Sequence, residues 1–103
     1  MQAQVKELTQ LMEFPEGGIL SRILVKTQSA DYTLFCLAQG TEISEHTATR
    51  DAAVVVLKGR GRFTVAGEEI PVQAGTFLFM PAHAPHALRA EEDLAFLLIL
   101  SGA

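Results

Sequence analysis

Three histidines, His46, His83 and His86, are the residues best placed to do chemistry near neutral pH. An imidazole can hold a transition metal, move a proton, or accept and donate hydrogen bonds in its neutral form. A catalytic metal centre generally takes three protein ligands and leaves one position open for water, oxygen or substrate. Three roles are therefore open for His46 and His86: ligands of a divalent metal (iron, manganese, nickel, copper or zinc), an acid/base pair, or neutral partners for a bound molecule with no metal at all. His83 lies between Pro81 and Pro85. It reads first as a turn residue, because histidine is among the few side chains that tolerate a positive φ. Cys36 sits among Leu34, Phe35 and Leu37, where a thiol with no base beside it behaves as a small hydrophobe.

Short strands must position these groups. Beyond the first dozen residues, where Val5, Leu8 and Met12 allow a turn or two of helix, no 3.6-residue periodicity is sustained. Nine apolar-rich runs read as strands: 19–27, 32–37, 42–47, 53–58, 62–66, 69–72, 76–80, 86–89 and 94–100. Glycines and prolines separate most of them, among them Gly40, Gly59, Gly67, Gly75 and Pro81. Such a series builds a barrel or sandwich. The runs AAVVVL (52–57) and LAFLLIL (94–100) lack the polar/apolar alternation of a strand with one wet face, so both of their faces should be buried.

Composition limits the rest. A chain of 103 residues has room for one domain. It is 49% hydrophobic and only 19% charged, apolar for so small a protein, and a twofold homodimer is the economical cover for the surplus. A net charge of −4 disfavours nucleic acid as a partner. The longest apolar run is too short to span a bilayer, residues 1–12 lack a signal-peptide pattern, and one cysteine permits no internal disulfide. The expected location is the cytoplasm. Lys58, Arg60 and Arg62 alternate around Gly59 and Gly61 as a basic hairpin whose default state is solvated charge.

The segments GTEISEHTATRDAAVVVLKG (40–59) and GTFLFMPAHAPHALRA (75–90) resemble the two motifs of the cupin family. Gly40, His46 and Gly59 match the first, and Gly75, Pro81 and His86 the second. Where the family carries its second histidine, its glutamate, a turn glycine and a closing asparagine, this chain has Ala48, Ala52, His83 and Ala90. The resemblance implies an all-β fold, a double-stranded β-helix or jelly-roll barrel, over a single domain, 1–103. It also implies a site inside the barrel from which two of the four usual metal ligands are missing. Asp51, one residue before the glutamate position, is a displaced candidate, although a one-residue slip normally reverses the face.

Alternation places Ala52, Val54 and Val56 on one face of their strand, and Glu42 on the face of His46 at the barrel mouth. The expected ligand-binding set is His46, His86, Glu42, Val54, Val56 and Phe79. His83 is a further residue at the pocket mouth. Phe77, Phe79 and Met80 read as core first and as cavity wall second. Three functional expectations follow: a small polar molecule bound in a barrel with a degenerate or absent metal centre; a divalent-metal enzyme, dioxygenase- or isomerase-like, using His46 and His86; or a non-catalytic dimeric accessory protein.

Overall fold

The computed structural model describes residues 2–102. After a single helical turn, α1 (Leu8–Leu11), nine strands follow: β1 (Ile19–Lys26), β2 (Ala30–Leu37), β3 (Glu42–His46), β4 (Asp51–Lys58), β5 (Arg60–Val65), β6 (Glu68–Gln73), β7 (Phe77–Met80), β8 (His86–Ala90) and β9 (Leu94–Ser101). All nine expected strands are present, with ends shifted by at most two residues. They form a five-stranded sheet in the order β1-β2-β9-β4-β7 and a four-stranded sheet in the order β3-β8-β5-β6. Every pairing is antiparallel. This is the jelly-roll barrel that the resemblance implied.

The inner faces of the two sheets share one core. Leu37, Val54, Val56, Phe63, Leu94 and Phe96 are each no more than 3% exposed. Phe96 stacks on Phe35 at 5.3 Å between ring centroids and meets Phe63 edge-on at 5.6 Å, the offset and T-shaped arrangements that aromatic quadrupoles favour. At one end the sheets close over glycines. Gly59 has φ +86, and a Cβ there would overlap the Asp93 carbonyl oxygen; one at Gly61 would lie 2.6 Å from the Arg89 carbonyl oxygen. Only hydrogen fits at either position. Ala66 and Gly67, with φ 48 and 83, form the two-residue turn that joins β5 to β6, the left-handed pair of a type I′ hairpin.

The outer faces of the two sheets differ. On the four-stranded sheet, Glu42 receives a hydrogen bond from Arg89 (2.6 Å), and Arg62 reaches Glu69 (2.9 Å) and Glu91 (3.1 Å). Bonding first to Glu91 and then to Glu69 raises the pKa of the Arg62 guanidinium above its ordinary value. On the five-stranded sheet, part of the outer face is covered by the chain itself. Leu11, Met12 and Phe14 pack over a second cluster of Leu34, Cys36 and Ala95, and Lys58 Nζ lies 5.4 Å from the Phe14 ring centroid. This N-terminal stretch is the second layer that helps bury Cys36. β9, paired on both sides by β2 and β4, is buried on both faces at its start, from Leu94 to Phe96.

Candidate functional site

A cavity of about 250 Å³ opens inside the barrel between the two sheets. Phe35, Val54, Phe63, Met80, Phe96 and Leu98 supply most of its wall, and Ile43, Leu88, His46 and His86 complete it. The two imidazoles are the polar groups in an otherwise apolar lining. Among the described residues, other grooves, such as that of about 360 Å³ between the N-terminal stretch and β1, are not lined by histidine.

β3 and β8 bring the histidines together. His46 pairs directly with His86 across the strands, and their rings meet edge to face with centroids 4.1 Å apart. His86 is 8% exposed, while His46 stands at the open mouth. Each ring is oriented by its own backbone: His46 Nδ1 lies 2.9 Å from the Ser44 carbonyl oxygen, and His86 Nδ1 lies 3.0 Å from that of Ala84. A carbonyl oxygen only accepts, so both Nδ1 atoms must carry the proton. In the neutral rings both Nε2 atoms are then bare acceptors. The neutral pair therefore has an acceptor at each Nε2 and no free N–H donor.

The pairing register explains why Glu42 is not with them. Along β3, Ile43 opposes Leu88 and His46 opposes His86, so three steps on β3 match two on β8. One extra residue sits in the strand as a bulge, which breaks the alternation. Ile43 and His46 thus both face the cavity, whereas Glu42 faces outward to Arg89. The expectation that Glu42 shares the histidine face is corrected by this bulge, which simple alternation does not contain.

The remaining expected residues separate. Val54 lines the cavity; Val56, on the same face, lies deeper in the packed core and does not reach it. Phe79 is 52% exposed and Phe77 is 65% exposed, both on the outside of the five-stranded sheet. Alternation along β7 turns Met80 inward and places Phe79 opposite Ala53 on the outer face, so Phe79 is not part of the wall. His83 adopts φ 72, as the turn reading required. Its N–H donates to the Ala48 carbonyl (2.7 Å), and its side chain is exposed and outside the cavity lining. Asp51 accepts from the Ala82 N–H at 2.8 Å, which ties the start of β4 to the β7–β8 turn. It is a brace for the mouth, not a replacement ligand.

Sequence reasoning missed Phe35, Phe63, Phe96 and Leu98 as cavity residues. Each lies on an inward parity position, but nothing in an apolar residue's type separates cavity wall from solid core. It also missed the Asp31–Arg50 pair. Arg50 Nη1 and Nη2 donate to Asp31 Oδ2 at 3.0 and 2.7 Å, joining the β3–β4 loop to the start of β2, while Arg50 Nε is buried without a partner.

These donors do not fit the four-ligand centre that the family resemblance implies. Ala52 is buried in the core at the glutamate position, and among the described residues no three His, Cys, Asp or Glu side chains lie close enough to hold a metal ion. Two imidazole nitrogens are half of such a set.

Comparison with known proteins agrees with the architecture. An uncharacterised protein from Aquifex aeolicus is 25% identical over 99 residues, covering 94% of this chain and 82% of its own. The crystal structure of a conserved protein of unknown function from Streptococcus pyogenes superposes with a TM-score of 0.88 at 37% identity, covering all of this chain and 90% of that one. A cupin superfamily protein from Desulfitobacterium hafniense does so with a TM-score of 0.88 at 26% identity, covering 100% and 94%. Among the described residues no helix is long and apolar enough to cross a membrane. The family model for the cupin domain matches residues 33–101, which spans both histidine-bearing motifs, and this chain is therefore a member of the cupin family.

Proposed function

We propose that this protein binds a small molecule with a hydrogen-bond-donating polar head and an apolar body, held in the barrel by His46 and His86. The observation that carries the reading is the fixing of both Nδ1 atoms on backbone carbonyls, which leaves Nε2 as the acceptor of each neutral ring, in two rings whose centroids lie 4.1 Å apart at the cavity. A hydroxyl, amine or amide group satisfies them, and the aromatic and aliphatic wall takes the remainder of the ligand. No Asp, Glu, Lys or Arg lines the cavity, so an obligately charged body finds no counter-ion there. At about 250 Å³ the site suits a molecule at or below the ~300 Å³ lower end of ordinary ligand pockets.

The test is a fragment screen by protein-observed NMR, run in parallel on the wild type and on a His46→Ala/His86→Ala variant. Donor-bearing fragments are expected to perturb Val54, Met80 and Phe96 in the wild type and to lose at least tenfold in affinity in the variant. Binding that is indifferent to the double substitution contradicts the reading.

The same anchoring supports a second reading. Metal-ligating histidines usually donate their other ring nitrogen to a carbonyl or carboxylate, and here a divalent metal would be held by His46 and His86, with the bound molecule or water supplying its other ligands. Elemental analysis after loading with iron, manganese, nickel, copper or zinc separates the two: near-unit occupancy lost in the double variant favours the metal. A barrel serving only as a solid accessory module is disfavoured by the cavity. The cytoplasm is the setting that suits this reading, since the lone Cys36 needs no oxidising compartment.

A further inference from the structure

The wall of the barrel cavity is more than apolar. Of its ten lining residues, three are phenylalanines, two are the imidazoles and one is a thioether, so six present a ring or a polarizable sulfur. Phe35 and Phe96 are cross-strand partners on β2 and β9. Their rings stand nearly parallel, 13° apart, with centroids at 5.3 Å. Phe63 reaches Phe96 from the opposite sheet at 72°. Parallel and crossed rings in one wall offer a guest ring both arrangements that aromatic quadrupoles favour, offset stacking and edge-to-face. The Met80 sulfur adds a favourable neighbour for a ring edge.

We propose that the occupant is a neutral compound of one aromatic ring carrying a hydroxyl, an aryl alcohol or a phenol, with its ring among Phe35, Phe63, Phe96 and Met80. The inference rests on the reading above for the hydroxyl end, at His46 and His86, and adds the identity of the body.

Size limits the guest to one ring. An apolar cavity of about 150 Å³ is enough to hold benzene. The ~250 Å³ here takes that ring with roughly 100 Å³ left for substituents, less than a second ring of the same size needs. Charge narrows the head group. An alkylamine is protonated at neutral pH, as the lysine side chain is, and no Asp or Glu lines the cavity to meet it. A hydroxyl donates one hydrogen bond and stays uncharged. The competitor is an aliphatic ring of the same carbon count. It is the more apolar of the two, so burial alone ranks it first. Contacts specific to aromatic rings, each worth up to about tenfold in a binding constant, reverse that order.

Titration of benzyl alcohol, cyclohexylmethanol and toluene into the protein, followed by protein-observed NMR at pH about 8.5 where both imidazoles are neutral, tests it. The two alcohols share a hydroxymethyl group and differ in the ring; toluene keeps the aromatic ring and lacks the donor. Benzyl alcohol is expected to shift Val54 and Met80 and to bind about tenfold more tightly than cyclohexylmethanol, and Phe35→Leu to bring the two within about threefold. Cyclohexylmethanol binding as tightly as benzyl alcohol overturns the aromatic body, and leaves the histidine reading in place if toluene binds more weakly than both alcohols. Toluene binding as tightly as benzyl alcohol overturns the histidine reading, and with it the hydroxyl, whatever the ring preference. A folded Phe35→Leu variant that keeps the wild-type ratio overturns the placement of the ring; should that variant not fold, the order of the three probes in the wild type decides. No shift in the cavity with either alcohol at millimolar concentration overturns both readings.

Discussion

The two ends of the barrel interior are built from the same strands by the same alternation, yet one is solid and the other hollow. At the closed end Leu37, Val56, Ala90 and Leu94 belong to one buried cluster, and Gly59 and Gly61 allow the chain around the start of β5 to approach the backbone of Asp93 and of Arg89. At the open end a bulge in β3 turns Ile43 and His46 inward together, and the large rings of Phe35, Phe63 and Phe96 form a floor instead of a filling. The closed end holds the fold together. The open end can carry a site because its residues are not all needed for packing.

The largest expected effect lies at the closed end. Gly59→Ala combines a positive φ with overlap on a backbone oxygen, and it is expected to cost at least ~3 kcal/mol in urea unfolding; a loss under ~1 kcal/mol would show that this end is softer than described. Phe63→Ala, in the cavity floor, should cost about 3–5 kcal/mol, the range for truncating a buried ring, here 1% exposed. Met80→Ala, beside the existing cavity, should fall near ~2 kcal/mol, the low end for such truncations, while enlarging the pocket enough to admit bulkier fragments in the NMR screen. A cost at position 80 as large as that at position 59 would erase the contrast. The smallest effect belongs outside the site: Glu42→Gln removes an exposed ion pair, and both urea stability and fragment affinity should stay within about 0.5 kcal/mol of the wild type. A large loss of binding there would return Glu42 to the pocket.

What the sequence made legible follows the same division. Nine strands could be read because glycines and prolines punctuate them, and His46 and His86 could be read because their motif spacing survives where Ala48 and Ala52 have replaced the other ligands. The facing of Glu42 could not be read: Ser44 and Glu45 carry no glycine or other mark of a bulge, so alternation put the carboxylate on the wrong side. Phe79 was placed in the wall although Met80 is its neighbour and adjacent residues of a strand point to opposite faces. The N-terminal cover was missed because Leu11, Met12 and Phe14 pack as a single turn and an extended stretch, too short to show a period.

The central claim is that the cavity presents two histidine acceptors, and imidazole nitrogen NMR reads this directly. At pH about 8.5, two units above the ordinary imidazole value of about 6.5, long-range ¹H–¹⁵N spectra of the unliganded protein should show His46 and His86 both protonated on Nδ1 and bare on Nε2. An Nε2–H tautomer at either ring would mean that its backbone anchor is not made, and the pair would no longer be the acceptor on which the proposed binding rests.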